Sequence, residues 1–528
     1  MSAATDAPAT TATTTPRRPA RLAQLLLLVL ALAAGVGAFG LVGVNMEGHL
    51  PDGFWLESAG LALIAIVAHV VVRIRAPWAD QVVLPSVVLL NGLGLAMILR
   101  LQEAGAQGAN ATRNMQWSVL GVVLACLVVW FLRDHRWLRR YTYTAMIVGL
   151  VLVVLPLVPG LGRTINGAKI WIGVGPLSLQ PAEFAKIAFA VFFAGYLVSN
   201  RDTLALAGPR VLGLQLPRLR DLGPILIVWA ASLAVLVLER DLGTSLLFFG
   251  LFVAMLYLAT ERISWVVIGL VLFGAGAAVA GTVFPHVQHR MEVWLHPFEG
   301  DLYNATGGSY QVVQGLFGLA NGGLFGTGWG EGYPQRVPYS FSDFIYSSLG
   351  EELGLTGLLA ILLVFLVVVE RGLRTALGVR DGFGKLLAGG LAFSLALQLF
   401  VVVGGITRII PLTGLTVPFM AQGGSSLLAN WIVVGLLLKI SDDARRPSPL
   451  PLRGEVGPGG VLEAAGADGG AHDGALGGAG QHDGALPDVP TGAHPVTTPT
   501  ETVGRPAVPR TPLPRRTPSR PDPEAGQP

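Results

Sequence analysis

Three carboxylates stand where charge is costly. The stretch FSDFIYSSLGEELG (341–354) leads into LTGLLAILLVFLVVVERG, part of an apolar run long enough to cross a bilayer. A charged side chain near a membrane centre costs about 2.5–3.5 kcal/mol on insertion scales. On a helix, Asp343, Ser347 and Glu351 fall at i, i+4 and i+8 along one face. Glu352 sits about 100° round from them. A polar stripe at the head of a spanning helix belongs against a water-filled cavity or another polar stripe. The competing reading is a helix cap, with Ser342 or Asp343 as N-cap and the acids favoured by the helix dipole. That reading accounts for Asp343 but not for Glu351, two turns inside. Glu183 and Lys186, in QPAEFAK, share a helix face at i and i+3, the spacing of an intrahelical ion pair worth a few tenths of a kcal/mol.

The elements that must position these groups follow from composition. Of 528 residues, 52% are hydrophobic and 13% charged, against about 25% charged in soluble domains. Apolar runs of near-spanning length recur from 22 to 440, which predicts an all-α multi-pass membrane protein. Twelve spans are expected, near 22–44, 56–74, 80–100, 116–132, 142–160, 183–199, 222–238, 243–259, 264–284, 344–369, 386–404 and 424–440. Strand-length alternation is lacking, which argues against a barrel. With a cytoplasmic N-terminus, the inner loops hold 21 Lys and Arg and the outer loops 7. This bias places both termini in the cytoplasm. The long segment 286–342 then faces outward, and its Gly, Trp and Tyr content predicts an ordered surface structure. A second polar outer segment is 162–186.

Residues 1–21 and 443–528 differ from the rest. The C-terminal segment is rich in Pro, Gly and Ala, repeats HDGAL, and is expected to be a disordered cytoplasmic tail. Its basic, Pro-rich end reads as a flexible tail or as a partner-docking polyproline segment. The single cysteine, Cys126, excludes an intramolecular disulfide. There is no CxxC or HExxH metal pattern, and with a net charge of +3 no nucleic-acid partner is expected.

Five segments, in order and in spacing, resemble the SEDS family, the FtsW/RodA/SpoVE group. They are NGAKIWIGVGPLSLQPAEFAKI (166–187), ERDLGTSLL (239–247), GGSYQVVQGLFGLANGGLFGTGWGEG (307–332), SDFIYSSLGEELGLTG (342–357) and RIIPLTGLTVPFMAQGGSSLLAN (408–430). The resemblance covers roughly 80–440 and is nearest to RodA-type members of high-GC Gram-positive bacteria. It implies a ten-helix glycosyltransferase core over 80–442, with two additional helices over 22–79. It departs from the family pattern at Phe341-Ser342, Glu239-Arg240 and Ala421-Gln422.

The resemblance implies a peptidoglycan glycosyltransferase of the bacterial cytoplasmic membrane, serving cell elongation or division. It would polymerise lipid II, an undecaprenyl-pyrophosphate-linked substrate, at the outer face, beside a class B penicillin-binding protein. The acceptor 4-hydroxyl must lose a proton as it attacks the donor anomeric carbon, so a positioned carboxylate serves as general base. Direct displacement inverts the centre. The leaving pyrophosphate calls for cationic partners or a divalent ion such as Mg or Mn. By this resemblance the base is Asp301, with Glu299 the competing acid. Glu183, Lys186, Gln180, Asp343, Glu351, Glu352, Tyr310, Gln311, Ser425 and Ser426 would line the substrate cavity. Lys169 and Arg408 are outer cations suited to pyrophosphate. Asp241 reads best as the cap of the following helix. The rival functions are a lipid II transporter and a catalytically inactive scaffold of the cell-wall complex.

Overall fold

The computed structural model describes residues 21–165, 168–174, 177–205, 210–211, 214–215, 223–305 and 307–447. The expected N-terminal tail and nearly all of the C-terminal tail lie outside these. Fifteen α-helices follow one another: α1 Arg21–Glu47, α2 Phe54–Arg75, α3 Val83–Glu103, α4 Ala111–Phe131, α5 Thr142–Val154, α6 Ala182–Ala205, α7 Gly223–Leu238, α8 Leu242–Thr260, α9 Ile263–Val283, α10 Pro285–Leu295, α11 Gly300–Asn304, α12 Tyr310–Gly322, α13 Ile345–Gly378, α14 Gly382–Ile406 and α15 Gly424–Arg445. Among the described residues, eleven helices are long and apolar enough to cross a membrane. Helix α7, at 16 residues, supplies the twelfth apolar run.

Burial orders the bundle. Helices α15 and α3 are the most enclosed, whereas α1, α2, α5 and α9 turn most of their surface outward. An apolar side chain facing lipid carries no hydration cost, so these peripheral helices are apolar all round. Short polar caps mark three helix starts: the side chains of Asn110, Asp241 and Asp381 accept from the amides of Arg113, Thr244 and Gly384. The cap reading of Asp241 is therefore what the fold contains.

Two features depart from the sequence expectation. The polar segment before α6 forms a three-stranded antiparallel sheet, β1 (Gly162–Ile165), β2 (Ala168–Val174) and β3 (Leu177–Leu179), in that order. Arg163 pairs with Trp171 and Ile172 with Leu179. A two-residue hairpin, β4 (Arg210–Val211) with β5 (Leu214–Gln215), follows α6. These strands are too short for alternation to reveal them.

The second departure concerns α13. Its 34 residues would reach about 51 Å as a straight helix, well beyond a hydrocarbon core of about 30 Å. It is broken at Gly354, with φ 66° and ψ −173°. The loop after α12 repairs the break. Leu355 N–H donates to Gly323 O and Thr356 N–H to Leu324 O, both at 3.0 Å. In return, Thr327 and Gly328 donate to the carbonyls of Glu351 and Glu352, at 3.0 and 2.9 Å. A Cβ at Gly326 (φ +84°) would lie 2.2 Å from Glu352 O. Gly326→Ala should therefore cost about 3 kcal/mol or more in unfolding titrations. Gly307→Ala, with similar φ but open space around it, should cost about 1 kcal/mol.

Candidate active site

At the end of the bundle covered by residues 285–344, the N-terminus of α6 carries a fully paired buried cation. Lys186 Nζ donates to Glu183 Oε2 at 2.5 Å, to Asn430 Oδ1 at 2.9 Å and to Gln398 Oε1 at 3.0 Å. An ammonium has three hydrogens, and all three are placed. Gln398 Nε2 and Asn430 Nδ2 both donate to Ser426 Oγ, and Gln398 Nε2 also reaches Thr416 O. Ser425 Oγ accepts from the amide of Gln180 at 2.8 Å. The network thus joins α6, α14 and α15 around Glu183 and Lys186, which are 5% and 2% exposed. At such burial, the ion pair exceeds the intrahelical surface pair that its spacing suggests.

A second cluster adjoins it. Asp241 binds Thr244 with both oxygens, Oδ1 to the amide and Oδ2 to the hydroxyl. Burial raises the Asp241 carboxyl above its usual range; the Thr244 bonds and Arg290 oppose this, and nearby Glu183 adds to it. Burial pushes Asp343 up to about 6, against the Ser342 hydroxyl and Arg290, which lower it. Arg290, on α10, faces both carboxylates, and burial pulls its guanidinium below the ordinary value. Its Nη1 is tied to Leu412 O at 2.7 Å. The arrangement is one arginine between two carboxylates, beside the Glu183–Lys186 pair.

Apolar cavities flank α8 just below. One, of about 350 Å³, lies among α5, α6, α7 and α8 and is lined by Phe189, Phe192, Phe193, Phe248 and Phe252, with Glu239 at its edge. Burial, with Asp241 adding to it, pushes Glu239 up to about 8. The other, of about 330 Å³, lies between α8, α9 and α10 and is lined by Leu242, Phe249, Phe273, Met291 and Trp294.

Glu351 and Glu352 are held by side chains and by the loop that follows α12. Glu351 Oε1 accepts from Asn321 Nδ2 and from the Tyr333 amide, both at 2.9 Å. Glu352 accepts from Arg100 Nε at 2.6 Å and from the Gly330 amide at 3.1 Å. Arg100 Nη2 also holds Gly332 O at 2.6 Å. Both acids precede the Gly354 break and clamp the Gly-rich loop 323–333. The cavity expectation for the pair did not include these partners: a broken helix gives the acids backbone amides to bind. Of the stripe, Asp343 alone joins the cluster around Arg290. It does not cap α13, and Ser347 donates to Gly315 O at 2.6 Å.

The remaining candidates are dispersed. Lys169, on β2, donates to Leu157 O at 3.2 Å. Arg408 holds Trp294 O through Nε and Nη2, at 3.2 and 2.8 Å, while Trp294 Nε1 donates to Arg408 O. Both hold a backbone carbonyl in this structure, each with donors left over. Tyr310 is exposed and packs edge-on to Tyr303; Gln311 donates to Pro338 O. Asp301 lies on exposed α11, and among the described residues no side chain bonds its carboxylate. Glu299 is 3.2 Å from His296 Nδ1.

The family model described as cell cycle protein, FtsW/RodA/SpoVE, matches residues 80–446. The chain belongs to the FtsW/RodA/SpoVE family. It is 52% identical over 400 residues to peptidoglycan glycosyltransferase RodA of Mycobacterium tuberculosis, covering 74% of this chain and 84% of that one. It is 48% identical to the Mycobacterium leprae protein of the same name, covering 78% and 88%. Stage V sporulation protein E of Bacillus subtilis is 33% identical over 63% of this chain and 87% of its own. Among solved structures, a chain from a study of polymerisation and crosslinking by a peptidoglycan synthase complex aligns with TM-score 0.56 at 25% identity, covering 70% of this chain and 99% of that one. The FtsW/RodA/SpoVE match begins just before α3, so α1 and α2 lie outside it. Within it, the sequence reading missed Arg290, Gln398 and Asn430. None sits in a periodic polar pattern; each acquires its role from partners distant in sequence.

Proposed function

We propose that this protein is a peptidoglycan glycosyltransferase that polymerises lipid II at the outer face of the bacterial cytoplasmic membrane. The observation that carries the reading is the Arg290 cluster: a half-buried cation that interacts with both Asp241 and Asp343, with apolar cavities on both sides of the α8 helix that Asp241 caps. A polyprenyl-linked sugar needs that combination, since its chain stays in an apolar groove while its pyrophosphate meets positive charge. The Lys and Arg bias supports placing both termini in the cytoplasm.

In the proposed reaction, Asp301 takes the proton of the acceptor 4-hydroxyl as the oxygen attacks the donor anomeric carbon. The bond to the pyrophosphate oxygen breaks, the configuration inverts, and Arg290 neutralises the departing charge. The Glu183–Lys186 network holds α6, α14 and α15 in register beneath. A divalent ion such as Mg or Mn finds no preformed ligand set here. Asp241 commits both oxygens to Thr244, and Glu183 Oε2 holds Lys186. Among the described residues, the group whose ligand atoms lie together is His135, Asp381 and Asp443, at the start of α14 and the last turn of α15. No step is therefore routed through a metal.

The partner is a class B penicillin-binding protein. An apolar groove of about 520 Å³ along α13 and α14, lined by Leu359, Leu363, Leu366 and Phe400, suits its membrane helix.

The test is polymerisation of lipid II by the purified protein with its partner. Arg290→Gln should lower the rate about 10²-fold or more, as loss of a charge-stabilising donor does. A wild-type protein that moves lipid II but makes no glycan would overturn the enzyme reading in favour of transport.

A further inference from the structure

One of the two helices outside the family match, α1, touches the Gly-rich loop. Asn45 Nδ2, at the last turn of α1, donates to Trp329 O at 2.6 Å. The next residue, Gly330 (φ +85°), sits so close to α1 that a Cβ there would be 3.1 Å from Met46 Cγ and 3.2 Å from Asn45 Cβ. On its other side the same loop is held by Glu352, through the Gly330 amide, and by Arg100, through Gly332 O. Helix α1 is itself seated firmly. Gly35 meets Gly92 of α3, and a Cβ on either would be 3.1 Å from the other's Cα, the close approach that small residues allow between membrane helices. The loop is thus gripped between an appended helix and the two core helices, α3 and α13.

The grip passes toward the outer catalytic segment. The loop continues from α12, which Ser347 pins through Gly315 O. Helix α11, which carries Asp301, is fastened to α12 by Gln314 Nε2 donating to Tyr303 OH at 3.0 Å, and the segments just before the two helices are joined by Ser309 Oγ donating to Pro297 O at 2.5 Å.

We infer that α1 is a built-in brace for the Gly-rich loop, and that Asn45 is a positioning residue for polymerisation, acting through Trp329 and Gly330. This rests on the glycosyltransferase reading for its kinetic consequence, not for its structural one. Asn45 is exposed, so replacing it should leave folding intact.

The test uses full-length protein in lipid nanodiscs and the near-isosteric Asn45→Asp, which removes the donor and sets a carboxylate against a carbonyl. Hydrogen exchange of the 323–333 amides should accelerate about 2- to 10-fold, the range that loss of one hydrogen bond gives. The polymerisation kcat, taken per folded protein as counted by gel filtration, should fall by a similar factor with KM for lipid II unchanged, whereas mere loss of folded enzyme would leave that normalised rate unmoved. Asn45→Ala should behave alike. Unchanged exchange in both variants overturns the brace. Faster exchange with unchanged kcat overturns Asn45 as a positioning residue. If wild-type protein makes no glycan, the glycosyltransferase reading falls while exchange still reports on the brace.

Discussion

An Asp301→Asn variant will polymerise lipid II about 10²–10⁴ times more slowly than the parent chain, the usual loss when a general base is removed. The substitution keeps size and hydrogen-bonding reach but cannot accept the proton of the attacking hydroxyl. Because Asp301 is exposed on α11 and bonds no side chain among the described residues, stability should stay within about 0.5 kcal/mol. The loss should therefore appear in kcat, with the unfolding midpoint unmoved. Glu299→Gln is the control; it removes an exposed pair with His296, worth about 0–1 kcal/mol, and should leave the rate near wild type. Full activity in Asp301→Asn would move the base to Asp343. That carboxyl is pushed up to about 6 beside Arg290, and it would impose an acid limb on the rate, with activity rising as pH passes through about 6.

Lys186→Met should cost about 3–5 kcal/mol, because it strands the buried Glu183 carboxylate without its countercharge. Gln398 Oε1 and Asn430 Oδ1 lose the same donor. The measurement is unfolding in a sodium dodecyl sulfate titration of detergent-solubilised protein. Glu183→Gln combined with Lys186→Met should recover most of that stability, since a neutral buried pair carries no stranded charge. Polymerisation should not recover in the double variant if the pair also sets the cavity's field. A single variant as stable as wild type would mean that water reaches Glu183.

Some of this could be read directly from the amino acids. The twelve apolar runs located the helices, with most ends close and the end of α13 nine residues beyond the expected one, because hydrophobic length is a local property. The i, i+3 spacing of Glu183 and Lys186 announced their pairing for the same reason. Other roles could not be read. The stripe of Asp343, Ser347 and Glu351 assumed an unbroken helix, and the positive φ of Gly354 ends that assumption. Glu351 and Glu352 then meet loop amides and Arg100. Arg290 looked like any outer-loop cation until α10 folded it against Asp241 and Asp343. That Lys169 and Arg408 each hold a backbone carbonyl was likewise not legible in the sequence.

By itself, then, the sequence determined that this chain lies in a membrane, where its helices run, and which family it resembles, since these follow from composition and from neighbours in the chain. Which charges share a chamber, which acids merely fasten a loop, and how the appended helix reaches that loop were decided only by tertiary structure. Each depends on groups tens to hundreds of residues apart being brought together, and local pattern carries no record of that distance.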